Sequence, residues 1–191
     1  MHALVLNGSS DGDTFANQVA TRAISQLREA GWEADEVILR TCEIVPCIGC
    51  FSCWVRSPGE CMQDDDAPDI TRRVTESDLL VLVTPVTFGG YSFQMKKYLD
   101  RAISLILPFF ARLQGEVHHE PRYEQLPNLL ALGTLGEPDP EGEKIFKWLV
   151  SRNALNLHVP AHLAEVIVED RDHVDERVAS VIAVLLEGNS S

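Results

Sequence analysis

Apolar residues recur along the chain in two alternating rhythms. Residues 3–7 (ALVLN), 35–39 (DEVIL), 79–85 (LLVLVTP), 128–133 (NLLALG) and 163–168 (LAEVIV) are short runs with the length and apolar character of strands. The run at 79–85 is apolar throughout, which predicts a strand covered on both faces. Between these runs the spacing turns helical. Residues 14–30 place Phe15, Val19, Ala23, Leu27 and Ala30 on one face, with Gly31 where a helix commonly ends. Pro68 opens a helix through Val74 behind a cap at Asp66 or a neighbour. A third runs from Ser92 to about Leu107, a fourth starts at Asp139-Pro140-Glu141 and continues through Trp148, and Val174, Val178, Val181, Ile182 and Leu185 mark a closing helix. Strands alternating with helices predict parallel crossovers, hence a three-layer α/β sandwich around a five-stranded parallel sheet. Residues 108–127 have no period and read as a functional, lid or oligomer-forming segment. Residues 187–191 (EGNSS) read as a frayed tail.

Composition narrows the classes. With 191 residues, 45% apolar and 24% charged, the chain is expected to form one domain with its own core. A formal net charge of −13 and no basic run argue against nucleic acid and anionic membrane surfaces as partners. No apolar stretch approaches the roughly 20 residues of a membrane span, and the N-terminus lacks the basic flank of a signal peptide. Four of five cysteines crowd into one loop, which is no disulfide framework and points to a reducing cytoplasm.

In an open parallel sheet, ligands lie beyond the carboxyl ends of the strands. The loops that matter are therefore 7–15 (NGSSDGDTF), 84–97 (TPVTFGGYSFQMKK) and 133–142 (GTLGEPDPEG). The first leads into a helix N-terminus, and its amides with the hydroxyls of Ser9, Ser10 and Thr14 suit a phosphate. It matches neither GxxxxGK[ST] nor GxGxxG. It also reads as a plain turn with Thr14 as the cap. Asp11 and Asp13 oppose an anion there, and the loop holds no Lys or Arg. The second loop offers backbone groups to a flat ligand, supplemented by the hydroxyls of Thr84 and Thr87 and the rings of Phe88 and Tyr91.

Cys47, Cys50 and Cys53 are spaced by two intervening residues each, and Cys61 follows after seven more, at the end of a cysteine loop over 42–66. Such a set suits a [4Fe–4S] cluster better than zinc, which prefers two separated CxxC pairs. It equally suits a loop in which the cysteines pack as small apolar residues. Cys42 reads as packing.

Taken together, GSS…T after the first strand, CxxCxxC…GxC…DDD, and TPVTFGGYSFQMKKYLDR resemble the NADPH-dependent FMN reductase group of flavodoxin-like proteins, in particular its iron–sulfur flavoprotein branch. The likeness covers residues 1 to about 110. It implies a flavodoxin-like fold with FMN at the strand ends and NAD(P)H as donor. Ser9, Ser10, Asp13 and Thr14, with Phe15 beside them, would hold the phosphate, and Pro85, Val86, Thr87, Phe88 and Gly89 would line the isoalloxazine. This chain departs from the pattern at Asp13 (usually Asn), at Thr87 (usually Tyr), and in lacking the arginine usual in the first loop.

The expected function is an FMN-dependent NAD(P)H oxidoreductase. It would pass electrons to a small-molecule acceptor (a quinone, flavin, nitro or azo compound, or metal ion) with no catalytic side chain, as a homo-oligomer, dimer or tetramer. One alternative is an electron carrier with FMN and a [4Fe–4S] cluster on Cys47, Cys50, Cys53 and Cys61. Another is a non-enzymatic member that has lost the flavin. Among other residues, His118 and His119 read as a solvated patch, Asp64, Asp65 and Asp66 as a helix cap, Lys96 and Lys97 as solvent-facing, Asp100 and Arg101 as paired elsewhere. Trp32, Trp54 and Trp148 read as core, with Trp54 able to shield a cofactor.

Overall fold

Strand and helix alternate as the patterning predicts, and the alternation of side chains along each strand builds two cores. The computed structural model describes residues 1–169 and 173–188. Its main sheet takes β1 (His2–Asn7), β2 (Glu33–Ile38), β3 (Leu79–Pro85), β6 (Asn128–Leu135) and β7 (His162–Val168), all parallel, in the order β2-β1-β3-β6-β7. This is the flavodoxin-like order, which reverses direction at β1 and β3. Leu4, Leu6, Leu80, Leu82, Leu129 and Ala131 face one way, onto α3 (Ala67–Thr75), α4 (Phe93–Arg101) and α5 (Pro140–Leu157). Ala3, Val5, Val81, Val83, Leu130 and Leu132 face the other way, onto α1 (Thr14–Glu29) and α6 (Val174–Gly188). Each fully buried Leu or Val on these faces contributes about 1.5–3 kcal/mol. On α1 the buried positions Phe15, Val19, Ala23 and Leu27 recur every four residues, as the sequence anticipates.

The structure departs from these readings in three places and orders the segment that had no period. The third helix ends at Arg101 rather than near Leu107. A 3₁₀ turn follows (Ala102–Leu105), because Leu107 precedes Pro108 and is steered toward extended backbone. The aperiodic segment is a two-stranded antiparallel hairpin, β4 (Ile106–Leu113) and β5 (Glu116–Pro121), closed at Gln114 and Gly115, both with positive φ. The fourth helix runs on to Leu157, so Trp148 sits mid-helix and exposed instead of in the core. His118 and His119 are not a solvated patch. His118 meets Glu116 at 3.1 Å, and the His119 ring lies between Trp54 and Phe110, its Nδ1 2.8 Å from the Leu107 carbonyl. The tail read over 187–191 falls outside the described residues from 189 on, and α6 itself extends to Gly188.

The cysteine loop carries a single helical turn, α2 (Ser52–Val55), and is held from two sides. Trp54 Nε1 donates to the carbonyls of Ile103 and Ile106, and Arg122 donates to the carbonyls of Ser104 and Cys53. Asp65 and Arg101 form a buried pair at 2.5 and 3.0 Å, each side chain 1% exposed, and Arg101 also donates to the Val45 carbonyl. Of the acidic triplet, Asp66 accepts from the amide of Glu43, while Asp65 accepts from the amides of Val45 and Ala67. Lys96 is exposed and pairs with Asp100, whereas Lys97 is half-buried and reaches the Cys42 carbonyl at 3.5 Å. No helix among the described residues is long and apolar enough to cross a membrane.

Candidate functional site

The loops after β1 and β3 meet where the strand order reverses. Gly8 donates its amide to Val83 at 2.7 Å, and the Ser92 hydroxyl donates to the Gly8 carbonyl at 2.6 Å. The same Ser92 caps α4 by accepting from Met95, while its own amide donates to the Thr84 hydroxyl. One serine thus ties both loops to one helix start. Thr84 and Tyr91 do not line the outer edge as the sequence suggested. Thr84 is buried in this hydrogen-bonded junction. Tyr91 packs edge-on against Phe146, with its hydroxyl accepting from Asn153, and burial pushes its phenol up to about 12.

The outer part of the second loop is a tight turn. Thr87 and Gly90 exchange amide–carbonyl hydrogen bonds at 2.9 Å each, and Phe88 and Gly89 between them have positive φ. Phe88 is a bulky residue in a conformation that costs it about 1 kcal/mol or more, and its ring is fully exposed. Gly89 is buried against Ile145 of α5, so closely that a Cβ would lie 2.6 Å from the isoleucine side chain. Under the loop, Gly133 of β6 leaves room for Val86, whose methyl would meet an added Cβ at 2.6 Å. Pro85 and Val86 are half-buried and Thr87 is exposed, so residues 85–89 form a ledge along the ends of β3 and β6.

In the first loop the five expected residues divide. Ser10 and Thr14 present exposed hydroxyls. Ser9 is buried, its hydroxyl donating to Asn17 Oδ1 at 2.9 Å, and Phe15 packs into the core beneath. Asp13, rather than Thr14, is the helix cap, its carboxylate accepting from the Ala16 amide at 3.0 Å. The amides of Thr14 and Phe15, in the first helical turn, have no intrahelical partner and face outward at the positive end of the helix dipole. Asp11 does not turn inward; its side chain is fully exposed. The cation absent from the loop comes from elsewhere. Arg40, just beyond β2, donates from Nη1 to Ser9 Oγ at 2.5 Å and to Asn17 Oδ1 at 3.2 Å, and its Nε lies 3.5 Å from Asp11. Arg40 and Asn17 went unnoticed in the sequence, because Arg40 is 31 residues from Ser9 and no local pattern joins them.

These donors fit the two ends of FMN chemically: amides, hydroxyls and a guanidinium for a phosphate, and a backbone ledge with an exposed ring for a flat heterocycle. The four cysteines come together as well. Cys47, Cys50, Cys53 and Cys61 line one small cavity of about 30 Å³ with Phe51, Arg101 and Ile103. Cys47 and Cys50 are exposed, Cys53 is buried and Cys61 half-buried. Burial, and then the neighbouring sulfurs, push the Cys53 thiol up, whereas hydrogen bonds from the Ser52 amide and hydroxyl lower Cys50. Among the described residues, no three His, Cys, Asp or Glu side chains are arranged to hold a single metal ion.

Comparison with known proteins follows the same lines. The family model for NADPH-dependent FMN reductase matches residues 1–118. An iron–sulfur flavoprotein of Methanocaldococcus jannaschii is 32% identical over 112 residues, covering 59% of this chain and 57% of that protein. One from Archaeoglobus fulgidus is 33% identical over 103 residues, covering 54% and 46%. The chain thus spans about half the length of these curated relatives. The fold is similar to that of an NAD(P)H:quinone oxidoreductase from Methanothermobacter marburgensis, with a TM-score of 0.70 at 16% identity over 94% of this chain and 96% of that one. It is also similar to an FMN-dependent NADH-azoreductase from Bacillus anthracis in complex with FMN, with a TM-score of 0.65 at 11% identity over 100% and 99%. The strand order, the two joined loops and the match over residues 1–118 lead to one conclusion: the chain belongs to the NADPH-dependent FMN reductase family.

Proposed function

We propose that this chain is an FMN-dependent oxidoreductase that takes electrons from NAD(P)H and delivers them to a small acceptor, of the quinone, flavin, nitro, azo or metal-ion kind. Flavin, when bound, would supply the redox chemistry between the nicotinamide and the acceptor. The chain's part is placement. Ser10, Thr14 and the first-turn amides of α1 would surround the phosphate. The ledge Pro85–Gly89 carries the ring, with Thr87 and Phe88 at its open side. The observation that carries this reading is the junction at Ser92, which sets the first loop and the ledge in fixed register at the reversal of strand order. No side chain acts as nucleophile or general base in this scheme.

The test is a visible spectrum of the purified chain before and after incubation with FMN, followed by anaerobic addition of NADH or NADPH. Uptake of about one flavin per site and loss of its absorbance on reduction are expected. A chain that takes up no flavin refutes the proposal. The hairpin β4–β5 exposes Phe109, Phe110 and Val117, which supports assembly with further copies of the chain, measurable by light scattering.

A second reading has its own observation, the convergence of Cys47, Cys50, Cys53 and Cys61 on one cavity beside Arg101. Each cysteine of a [4Fe–4S] cluster ligates a different iron, so the four sulfurs need not converge as ligands of one ion do. The donor set fits such a cluster. The cavity between the sulfurs is small in this structure, with room for about a water. Iron and sulfide analysis after anaerobic purification decides whether the electron-carrier alternative holds.

A further inference from the structure

The loop after β1 carries two carboxylates and no cation, yet a basic side chain reaches it from the end of β2. Arg40 lies across Ser9 and Asn17 and is three-quarters or more shielded, with side-chain exposure of 20%. Asn17 Oδ1 holds the group in place and is itself fixed by donors from Asn7 and Ser9, while Asn7 also donates to Glu36. Nη1 is therefore committed to the protein. The opposite edge is not: Nε has only the fully exposed Asp11 at 3.5 Å, and Nη2 hydrogen-bonds nothing among the described residues. A guanidinium edge with two free N–H directions, anchored from behind, is shaped for two-pronged recognition of an oxyanion. Its anchors belong to the first loop and to α1: Ser9, which Ser10 follows in the chain, and Asn17.

We propose that Arg40 is the cation that binds the FMN phosphate in this chain, and that Asp11 is a mobile stand-in which leaves the guanidinium when the phosphate enters. This rests on the flavin reading above and deepens it. Asp11 fits the second role because its side chain is wholly in solvent and its contact is long, so little is lost on release. Asp13 has no such freedom, being engaged with the Ala16 amide.

The test compares FMN with riboflavin, which has the same ring and no phosphate, by quenching of flavin fluorescence with the full chain. Arg40→Gln is expected to weaken FMN about 10- to 100-fold, the scale of a charge-assisted hydrogen-bonded pair, and to change riboflavin affinity less than about twofold. Arg40→Lys, keeping the charge without the two-pronged edge, falls between. Asp11→Asn tightens FMN severalfold and leaves riboflavin alone. If Arg40→Gln weakens both ligands equally, Arg40 is merely structural and the proposal is overturned. It is also overturned if FMN affinity is unchanged in Arg40→Gln, or if the unaltered chain binds riboflavin as tightly as FMN. A chain that binds neither refutes the flavin reading itself, and this proposal with it.

Discussion

Replacing Arg101 by Met strands a carboxylate in the interior. Asp65 accepts four hydrogen bonds, from the amides of Val45 and Ala67 and from both terminal nitrogens of Arg101, and both side chains of the pair are 1% exposed. Removing one partner of such a pair costs about 3–5 kcal/mol, because the remaining charge keeps its desolvation penalty and loses its compensation. In a chain of this length each kcal/mol lowers Tm by about 2–4 °C, so Arg101→Met is expected to fall by roughly 6–20 °C in a thermal melt, with a matching loss in urea. The pair Asp65→Asn with Arg101→Met should recover only part of this: the stranded charge is gone, but the amides of Val45 and Ala67 donate to different carboxylate oxygens and the single asparagine oxygen can accept from one of them. Acid supplies an independent check. Burial by itself would raise the Asp65 carboxyl, but the hydrogen bonds from Arg101, Val45 and Ala67 and the guanidinium charge outweigh it and hold it below the usual carboxylate range. A depressed folded value stabilises fully above the unfolded pKa of about 3.9 and is lost as pH falls through the lower folded value. The wild-type chain should therefore lose stability more steeply than Asp65→Asn below about pH 4. A melt of Arg101→Met within about 1 kcal/mol of wild type, or identical acid slopes, would refute the reasoning.

Other sites give sharp expectations. Gly133→Ala forces a methyl against Val86 and Phe146, and urea unfolding should report a loss of about 1–3 kcal/mol; an unchanged midpoint would mean that the ledge has slack. Phe88→Ala removes a fully exposed ring, so stability should stay within about 0.5 kcal/mol while FMN affinity drops about 3- to 10-fold by fluorescence titration. The reverse pattern would make Phe88 a packing residue. With iodoacetamide, Cys50 should react ahead of Cys42 and Cys53, with a pH midpoint below the usual thiol range that rises in Ser52→Ala. A common profile for all the cysteines would contradict this.

What the sequence disclosed follows from where its signals are local. The runs 3–7 and 79–85 are covered on both faces and nearly all apolar, so their strands could not be missed; β2, an edge strand reading EADEVI, left only its second half visible. The hairpin escaped because Pro108 and a register shift between Ile106 and Phe110 break its alternation, and because its turn uses Gln-Gly where Asn-Gly would have been recognised. The overrun of α5 has a similar cause: it ends at His158 in a left-handed conformation, with no glycine to mark the stop. At the candidate site, the loops themselves were legible from composition. The partners across space were not. Arg40 with Ser9, Asp65 with Arg101, and Trp54 with His119 are separated by tens of residues, and only the packed sheet brings them together.

The Ser92 junction has a kinetic consequence. Loops that must be immobilised when a ligand arrives lose conformational entropy at that moment, and affinity suffers accordingly. Here the first loop and the ledge already share a hydroxyl, a helix start and the Gly8–Val83 bond before any ligand is present, so that entropy was surrendered during folding. Flavin capture at this rim should therefore show single-phase association without a slow isomerisation. Ser92→Ala should introduce a second, concentration-independent phase in stopped-flow traces.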